Sequence, residues 1–214
     1  SVLWRTDPSK IRPEVAAVQE PFGNAVHAAT VVDMRGKTVA IFGVGAIGQF
    51  VLMIAKALGA SKIIGIDPNP VNAALARKLG ADEVVEFDIH DDERNGWKAY
   101  PGVIERVRKF SGIDGVDVAL EMAGYNSAVN NALMSVRRGG DVVLFGLKQG
   151  DFKVQDFQRM IVKGINIHSV IGRRLFETWE ITKNLLESRE NGIQDRIWNQ
   201  MLDKGRDTIT DIAD

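Results

Sequence analysis

The chain has 214 residues, of which 45% are hydrophobic and 26% charged, and its formal net charge is −1. That length allows one large α/β domain whose core needs no disulfide or metal to hold it together. The near-neutral charge argues against broad attraction to nucleic acid or to an anionic membrane surface, so we expect neither partner. The chain contains no cysteine, which excludes disulfides and thiolate metal sites and is compatible with a cytoplasmic protein.

The N-terminus has no apolar signal-peptide core. One uncharged stretch, Thr38 to Ala55, is at the lower length limit for a membrane span. Its first part is β-branched, its second part is helix-forming, and three glycines lie between them. This order favours a strand, a turn and a buried helix over a membrane segment.

Short β-rich runs alternate with helical stretches along the chain. The strand candidates are Thr38–Phe42, Lys62–Ile66, Glu83–Phe87, Val116–Leu120, Asp141–Phe145 and Ile165–Ile171. The helix candidates between them are Ala46–Leu58, Val71–Leu79, Gly102–Phe110, Ser127–Val136 and Asp156–Val162. Several strand candidates are continuous apolar runs, as expected where both faces of a parallel sheet are covered. The alternation predicts an α/β fold with a doubly wound, six-stranded parallel sheet of the Rossmann type.

Two regions fall outside this alternation. Residues 1–36 contain a helical stretch from Pro21 to Thr30, ahead of the first strand. In residues 173–214, the segment Phe176 to Leu202 predicts one or two amphipathic helices, broken near Asn191 and Gly192. We therefore predict a single domain over 1–214, with an arm and junction helix (1–36), a Rossmann core (37–172) and C-terminal helices (173–214).

The run from Gly43 to Gly48 has the pattern G-x-G-x-x-G, and it follows an apolar strand and opens a helical stretch. In that setting it is typical of a dinucleotide-binding turn. Gly43 permits the tight turn, Gly45 lets the backbone approach a pyrophosphate, and Gly48 lets the helix pack against the strand. The amides of Ala46, Ile47 and Gly48 at the start of the helix then face the phosphates.

Asp67 ends the second strand candidate, nineteen positions after Gly48. A carboxylate there accepts the ribose hydroxyls and favours NAD, because a 2′-phosphate would meet like charge. The alternative is that Asp67 only ends the strand or opens an Asx turn before Pro68. A short-chain dehydrogenase is excluded, since neither Tyr100 nor Tyr125 has a lysine four residues later.

Three segments carry a family resemblance: Gln19 to His27, Val116 to Gly124, and Gly172 to Trp179. They resemble the zinc-dependent medium-chain alcohol dehydrogenases, and in particular the threonine and sorbitol dehydrogenase branch of that family. The resemblance runs from about Pro13 to the last helices. It implies an oxidoreductase that passes hydride from a secondary alcohol to NAD, with zinc as the Lewis acid. It also implies a homodimer or homotetramer that pairs through the edge strand of the sheet.

The resemblance also implies roles for individual residues. Glu20 matches a carboxylate ligand of the catalytic zinc, although an acid before Pro21 also suits a helix N-terminus. Asn24 matches a position beside the nicotinamide, Arg173 is a candidate for a substrate carboxylate, and His27 is read as an ordinary helix histidine. Cofactor contacts are expected at strand ends, with strand-end packing as the alternative: Met122 and Ala123, then Phe145, Gly146 and Leu147, then Val170 and Ile171.

The family's other zinc ligands come from a GroES-like catalytic domain, and this sequence has no counterpart of it. Neither His90 nor His168 is spaced to complete a site with Glu20. We therefore expect zinc only in a full-length enzyme, and expect this chain alone to bind dinucleotide without oxidising an alcohol. Asn72 departs from the threonine branch, which has a basic residue five positions after the ribose acid. A sorbitol- or butanediol-type enzyme and a non-enzymatic dinucleotide-binding module remain the alternatives.

Overall fold

The computed structural model describes residues 4–89, 96–112, 114–147 and 150–210. Their strands are β1 (Thr38–Phe42), β2 (Lys62–Ile66), β3 (Glu83–Val85), β4 (Val116–Glu121), β5 (Val136–Leu144) and β6 (Asn166–Ser169). Their α-helices are α1 (Pro13–Ala16), α2 (Gln19–Thr30), α3 (Ala46–Ala57), α4 (Pro70–Leu79), α5 (Pro101–Ser111), α6 (Asn126–Ser135), α7 (Phe157–Lys163), α8 (Glu177–Glu187) and α9 (Ile193–Arg196). A π-helical turn (Ile197–Met201) and a 3-10 turn (Asp203–Gly205) follow.

The strands form one parallel sheet in the order β3-β2-β1-β4-β5-β6. The chain starts in the middle of the sheet, winds outward to β3, then returns and winds outward to β6. The predicted doubly wound, six-stranded fold is therefore confirmed.

Three strands differ from the predicted bounds by more than one residue at one end. Val136, predicted to end a helix, is the first residue of β5, and a register irregularity beside β4 separates it from the apolar end of the strand. Because the residues at that irregularity are polar, the hydrophobicity pattern does not predict this part of the strand. The strands β3 and β6 are shorter than predicted and end at Val85 and Ser169.

Helices cover both faces of the sheet, and each face has its own apolar core. On one face, α2, α3, α4, α8 and α9 pack against inward-facing strand residues such as Ile41 and Leu120. On the other face, α5 and α6 pack against residues such as Phe42 and Ala119. Adjacent residues of one strand thus enter different cores, which explains why these strands read as continuous apolar runs.

The described parts of the two regions outside the alternation pack against each other and against the helices of the sheet. Helix α2 lies against α3, with the rings of Phe22 and Phe50 5.4 Å apart. It also lies against α8, and Trp4 of the N-terminal arm meets Trp179 of that helix edge-on at 5.4 Å. The break predicted near Asn191 and Gly192 lies between α8 and α9. Over the described ranges, no helix is both long and apolar enough to span a membrane.

Candidate functional site

The carboxyl ends of the parallel strands lie along one edge of the sheet, and the residues that follow them stand in a row. Beyond the strands, the hydrogen-bond ladder continues with Asp67 N–H to Val85 O (3.2 Å), Gly43 N–H to Ile66 O (2.8 Å), Met122 N–H to Phe42 O (2.8 Å), Phe145 N–H to Glu121 O (3.0 Å) and Val170 N–H to Leu144 O (2.9 Å). The structure therefore brings together, in one row, five of the residues that the sequence singled out. Ligands of open α/β sheets bind at this edge.

The glycine turn joins β1 to α3. Gly43 has a φ of 95°, a conformation that other residues rarely adopt. A Cβ on Gly48 would lie 2.1 Å from the Gly43 carbonyl oxygen, so only glycine lets the first turn of α3 approach the strand end. A Cβ on Gly45, in contrast, would meet no atom within 4 Å. The space above Gly45 is open, as the approach of a phosphate requires.

Helix α3 begins at Ala46, directly after Gly45. The first amides of a helix, here those of Ala46, Ile47 and Gly48, have no carbonyl partner within the helix. No side chain caps this N-terminus. The helix dipole and these amides together favour an anion above the turn.

Asp67 lies at the end of β2 and is only 6% exposed. Its Oδ2 atom accepts hydrogen bonds from the Val44 amide in the glycine turn (2.9 Å) and from the Asn72 side chain (3.3 Å). Its Oδ1 atom accepts from the Asn69 amide (2.8 Å). The Asx turn of the alternative interpretation is therefore present, and it also holds the carboxylate beside the glycine turn. A carboxylate has about four acceptor positions, so these three bonds leave it able to accept another.

A cavity of about 550 Å³ opens between the glycine turn, the end of β2 and the start of α6. We call it the strand-end cavity. Its lining residues are Phe42, Gly43, Gly45, Ile66, Asp67, Pro68, Asn72, Phe87, Ile89, Gly96, Tyr100, Met122, Ala123, Tyr125, Ser127, Ala128 and Asn131. Two of the aromatic rings, Phe87 and Tyr100, pack against each other with centroids 5.0 Å apart. Such a mixture of apolar walls and a few polar groups is typical of small-molecule sites.

Glu121, the last residue of β4, is fully buried below the row. Its Oε1 atom accepts hydrogen bonds from the amides of Ala123 (2.9 Å) and Gly124 (2.7 Å), which fixes the turn after β4. Its Oε2 atom has no hydrogen-bond partner among the described residues. Burial raises the pKa of the Glu121 carboxyl, against the lowering effect of the amides of Gly124, Ala123 and Gly146.

The turns after β4 and β5 cross closely at Gly124 and Gly146. A Cβ on Gly146 would lie 2.1 Å from the Gly124 nitrogen, and one on Gly124 would lie 2.6 Å from the Leu147 oxygen. Phe145 is half-buried, Leu147 is 82% exposed, and Ile171, beyond the buried Val170, is 76% exposed. The residues that were predicted to contact the cofactor from these strand ends thus lie directly after the strands rather than inside them.

A second group of predicted residues lies on α2 and the turn after β6. The Asn24 side chain donates to both Glu20 oxygens at 3.1 and 3.2 Å. The Arg173 guanidinium lies 3.7 Å from Glu20 and stacks over the Trp179 ring at 5.1 Å. The His27 ring nitrogen Nδ1 lies 3.0 Å from the Gly172 oxygen, so it ties α2 to this turn. We call Glu20, Asn24, Arg173 and Trp179 the α2 cluster.

The α2 cluster does not fit a zinc ion by itself. A protein zinc site takes about four ligands, and Glu20 is the one carboxylate here, with a cation 3.7 Å away. Within the described ranges, no three His, Asp or Glu side chains are grouped so that they could hold a metal. His168 is paired with Asp141 at 2.9 Å, and His90 lies outside the described residues.

Several residues of the site are not predicted from the sequence. Glu121 was seen only as part of a family motif, and Phe87, Tyr100, Tyr125 and Asn131 were not considered as cavity walls. One signal was present, since Tyr125 follows directly after the turn that carries Met122 and Ala123. The others come from distant parts of the chain, and no local pattern marks them.

Comparison with known proteins identifies the family. The family model described as zinc-binding dehydrogenase matches residues 46–188. The L-threonine 3-dehydrogenase of Bacillus velezensis is 35% identical over 189 residues, which are 87% of this chain and 50% of that protein. The chain thus spans about half the length of the curated relatives it matches.

Two solved structures have the same arrangement. The 2R,3R-butanediol dehydrogenase of Bacillus subtilis aligns with a TM-score of 0.72 and 25% identity over 86% of this chain and 50% of its own. The L-idonate 5-dehydrogenase of Escherichia coli aligns with a TM-score of 0.68 and 28% identity over 84% of this chain and 47% of its own. The chain belongs to the zinc-binding dehydrogenases, the zinc-dependent medium-chain alcohol dehydrogenase family.

Proposed function

We propose that this chain is the NAD-binding half of an alcohol dehydrogenase, and that residues 1–214 act as one cofactor domain. The observation that carries the proposal is the position of Asp67. Its carboxylate is held against the glycine turn by the Val44 amide at 2.9 Å, beside the open space above Gly45. A ribose acid and a phosphate turn are thereby placed side by side.

In this proposal each part of the dinucleotide has a place along the row. The pyrophosphate lies over Gly45 and the amides of Ala46, Ile47 and Gly48. The adenosine ribose donates its hydroxyls to Asp67, and the adenine lies among the aromatic walls of the strand-end cavity. The nicotinamide half runs toward Phe145, Val170 and Asn24, at the other end of the row. Hydride transfer is the chemistry that the nicotinamide supplies when bound.

The charge of the cavity supports NAD over NADP. Asp67 contributes a negative charge where a 2′-phosphate would be placed, and its neighbour Asn72 is neutral. Among the described residues that line the cavity there is no lysine or arginine. An NADP site normally offers such a cation to the 2′-phosphate.

For the complete protein, we propose a secondary alcohol that carries a carboxylate, such as L-threonine. Arg173 supports this substrate, because Gly23 and Trp179 hold its side chain between α2 and α8 with the guanidinium beside Glu20. A neutral polyol is the second candidate. It is favoured by the Glu20 carboxylate, which already neutralises Arg173, and by the likeness to the butanediol dehydrogenase.

A second copy of the chain is the proposed partner at the β6 edge. In the described part of the sheet, β6 is paired only with β5. Nearby apolar side chains are exposed, among them Phe157 (62%) and Ile161 (68%) of α7. An open strand edge of this kind needs a cover. Sedimentation at high concentration should show a dimer or tetramer, and a monomer throughout would overturn this assignment.

Calorimetric titration of the chain with NAD and with NADP tests the cofactor proposal. We expect saturable binding of NAD, weaker binding of NADP, and no oxidation of L-threonine or 2,3-butanediol by the chain alone. The last expectation follows from the single carboxylate of the α2 cluster. An absence of dinucleotide binding would exclude the proposal. Binding accompanied by alcohol oxidation would show that the chain is a complete enzyme, contrary to the proposal.

A further inference from the structure

Helix α6 carries three buried asparagines, which is unusual for a helix of ten residues. Asn126 is 9% exposed, Asn130 is fully buried and Asn131 is 2% exposed. A buried amide side chain costs free energy unless its polar atoms are hydrogen-bonded. Hydrophobic residues would fill these positions at less cost if packing were their only role. The partners of the three side chains therefore indicate what the helix holds in place.

Two of the asparagines hold the segment 97–100, which lies directly before α5. The Asn131 Oδ1 atom accepts a hydrogen bond from the Tyr100 amide at 2.7 Å. The Asn130 Nδ2 atom donates to the Trp97 carbonyl oxygen at 2.8 Å. Both bonds are to backbone atoms, so they fix the path of the segment whatever its side chains are.

The segment that leads to α7 also holds residues 97–100 in place, through Gln155. The Gln155 amide donates to Asn130 Oδ1 at 2.8 Å, and its side-chain Oε1 accepts from the Ala99 amide at 2.8 Å. Gln155 thus bridges α6 and the segment 97–100. Asn126 differs, because among the described residues its side chain forms hydrogen bonds only with the backbone of Lys153, donating at 2.8 Å and accepting at 2.9 Å. The Asn130 side chain donates to the same Lys153 oxygen at 2.9 Å, and this bond remains when Asn126 is replaced.

The last residue of the segment 97–100, Tyr100, forms part of one wall of the strand-end cavity. Tyr100 and Asn131 line the cavity, and the Tyr100 ring packs at a tilt against Phe87, whereas Asn130 and Gln155 do not line it. This wall faces the same space as Asp67 and Pro68. The flat, uncharged ring system of adenine can pack against aromatic walls, whereas the charged pyrophosphate cannot.

We propose that Asn130, Asn131 and Gln155 are positioning residues for the adenosine half of the dinucleotide, acting through the backbone of residues 97–100. The proposal rests on the proposed cofactor function. According to this proposal, Gln155 contributes to the affinity for the adenosine half, although it lies on the segment that leads to α7 and does not line the cavity. Without these bonds the Tyr100 wall is no longer pre-formed, and ordering it then opposes binding.

The test uses adenosine 5′-monophosphate and nicotinamide mononucleotide as separate probes of the two halves. In Gln155→Ala and Asn131→Ala, we expect the Kd for adenosine monophosphate to rise roughly threefold to tenfold, the equivalent of about one hydrogen bond each. The Kd for nicotinamide mononucleotide should not change. Gln155→Glu keeps the acceptor for the Ala99 amide and should bind adenosine monophosphate like the unaltered chain.

Asn126→Ala is the matched control, since it removes a buried asparagine of the same helix that does not touch residues 97–100. Hydrogen exchange gives a readout that does not depend on any ligand. The exchange rate of the Ala99 amide in Gln155→Ala, and of the Tyr100 amide in Asn131→Ala, should rise by a larger factor than the rates of amides elsewhere in the chain.

Unchanged adenosine monophosphate affinity in both variants would overturn the positioning role, even if the unaltered chain binds NAD. An equal loss in Asn126→Ala would also overturn it, because the effect would then be a general one of α6. If the unaltered chain binds neither NAD nor adenosine monophosphate, the cofactor function itself fails, and the positioning role with it. These outcomes separate the two proposals.

Discussion

The Asp67 carboxylate and the Val44 amide are joined by a hydrogen bond of 2.9 Å, which links the end of β2 to the glycine turn after β1. This bond fixes the acid against the turn before any ligand arrives. A pre-positioned acceptor loses less entropy on binding than a mobile one. Asp67 and the glycine turn therefore behave as one unit, and under the proposed function a change in either should affect the binding of the whole dinucleotide.

The glycine turn gives the first prediction, because two of its glycines meet different surroundings. In Gly45→Ala the new methyl group enters open space at an ordinary φ of −66°, so the melting temperature should stay close to that of the unaltered chain. The same methyl group occupies the place proposed for the pyrophosphate. We expect NAD affinity to fall roughly tenfold or more, as measured by calorimetry.

Gly48→Ala is the contrasting variant. Its methyl group would lie 2.1 Å from the Gly43 carbonyl oxygen, which forces α3 away from the strand end. Such overpacking costs about 1–3 kcal/mol of unfolding free energy, so this variant should unfold at a lower denaturant concentration. The proposed roles of the two glycines are contradicted if Gly45→Ala is the less stable variant, or if it binds NAD with the affinity of the unaltered chain.

Glu121 gives the second prediction, which concerns pH. Its pKa is raised above the ordinary value of 4.5 because the carboxyl is buried. Above pH 4.5 the Glu121 carboxyl therefore keeps a proton in the folded chain that it has lost in the unfolded chain. The contribution of Glu121 to the free energy of unfolding then falls as the pH rises through the raised pKa. Glu121→Gln cannot ionise, and its single Oε1 can still accept from the amides of Ala123 and Gly124.

The stability of Glu121→Gln relative to the unaltered chain should therefore increase as the pH rises above 4.5 and through the raised pKa of Glu121. Urea unfolding at a series of pH values measures this difference. Glu121→Ala serves as the comparison, because it removes the acceptor and should be destabilised at every pH. Parallel pH profiles for the Gln variant and the unaltered chain would show that the buried carboxyl does not titrate in this way.

The third prediction concerns zinc. Since the α2 cluster offers a single carboxylate beside a cation, the chain should retain well under one zinc per molecule after incubation with zinc and dialysis. Elemental analysis gives the ratio. One firmly bound zinc that Glu20→Gln removes would contradict this, and it would mean that residues outside the described ranges complete a site.

The parts of the site that could be predicted are those marked by a local sequence pattern. The turn from Gly43 to Gly48 lies between a strand and a helix, and Asp67 closes the next strand, so their order alone places them at one edge of the sheet. The parallel register then adds Met122 and Phe145 to the row.

The parts that were missed depend on contacts between distant segments. Tyr100 is positioned by Asn131, which is 31 residues away, and Asn130 reaches back 33 residues to Trp97. A polar residue in a helix looks like a surface residue until its partners are known. Glu121 was overlooked as a chemical group for the same reason, since its burial depends on the crossing of two turns.

The most direct measurement is a calorimetric comparison of the unaltered chain with Asp67→Ala and Asp67→Asn, each titrated with NAD and NADP. The Asn variant keeps an acceptor for the Val44 amide, so it separates the loss of charge from the loss of the turn contact. We expect the unaltered chain to prefer NAD, Asp67→Ala to lose roughly tenfold or more in NAD affinity, and both variants to discriminate less against NADP. Equal NAD affinity in all three proteins, or a preference of the unaltered chain for NADP, would contradict the role given to Asp67.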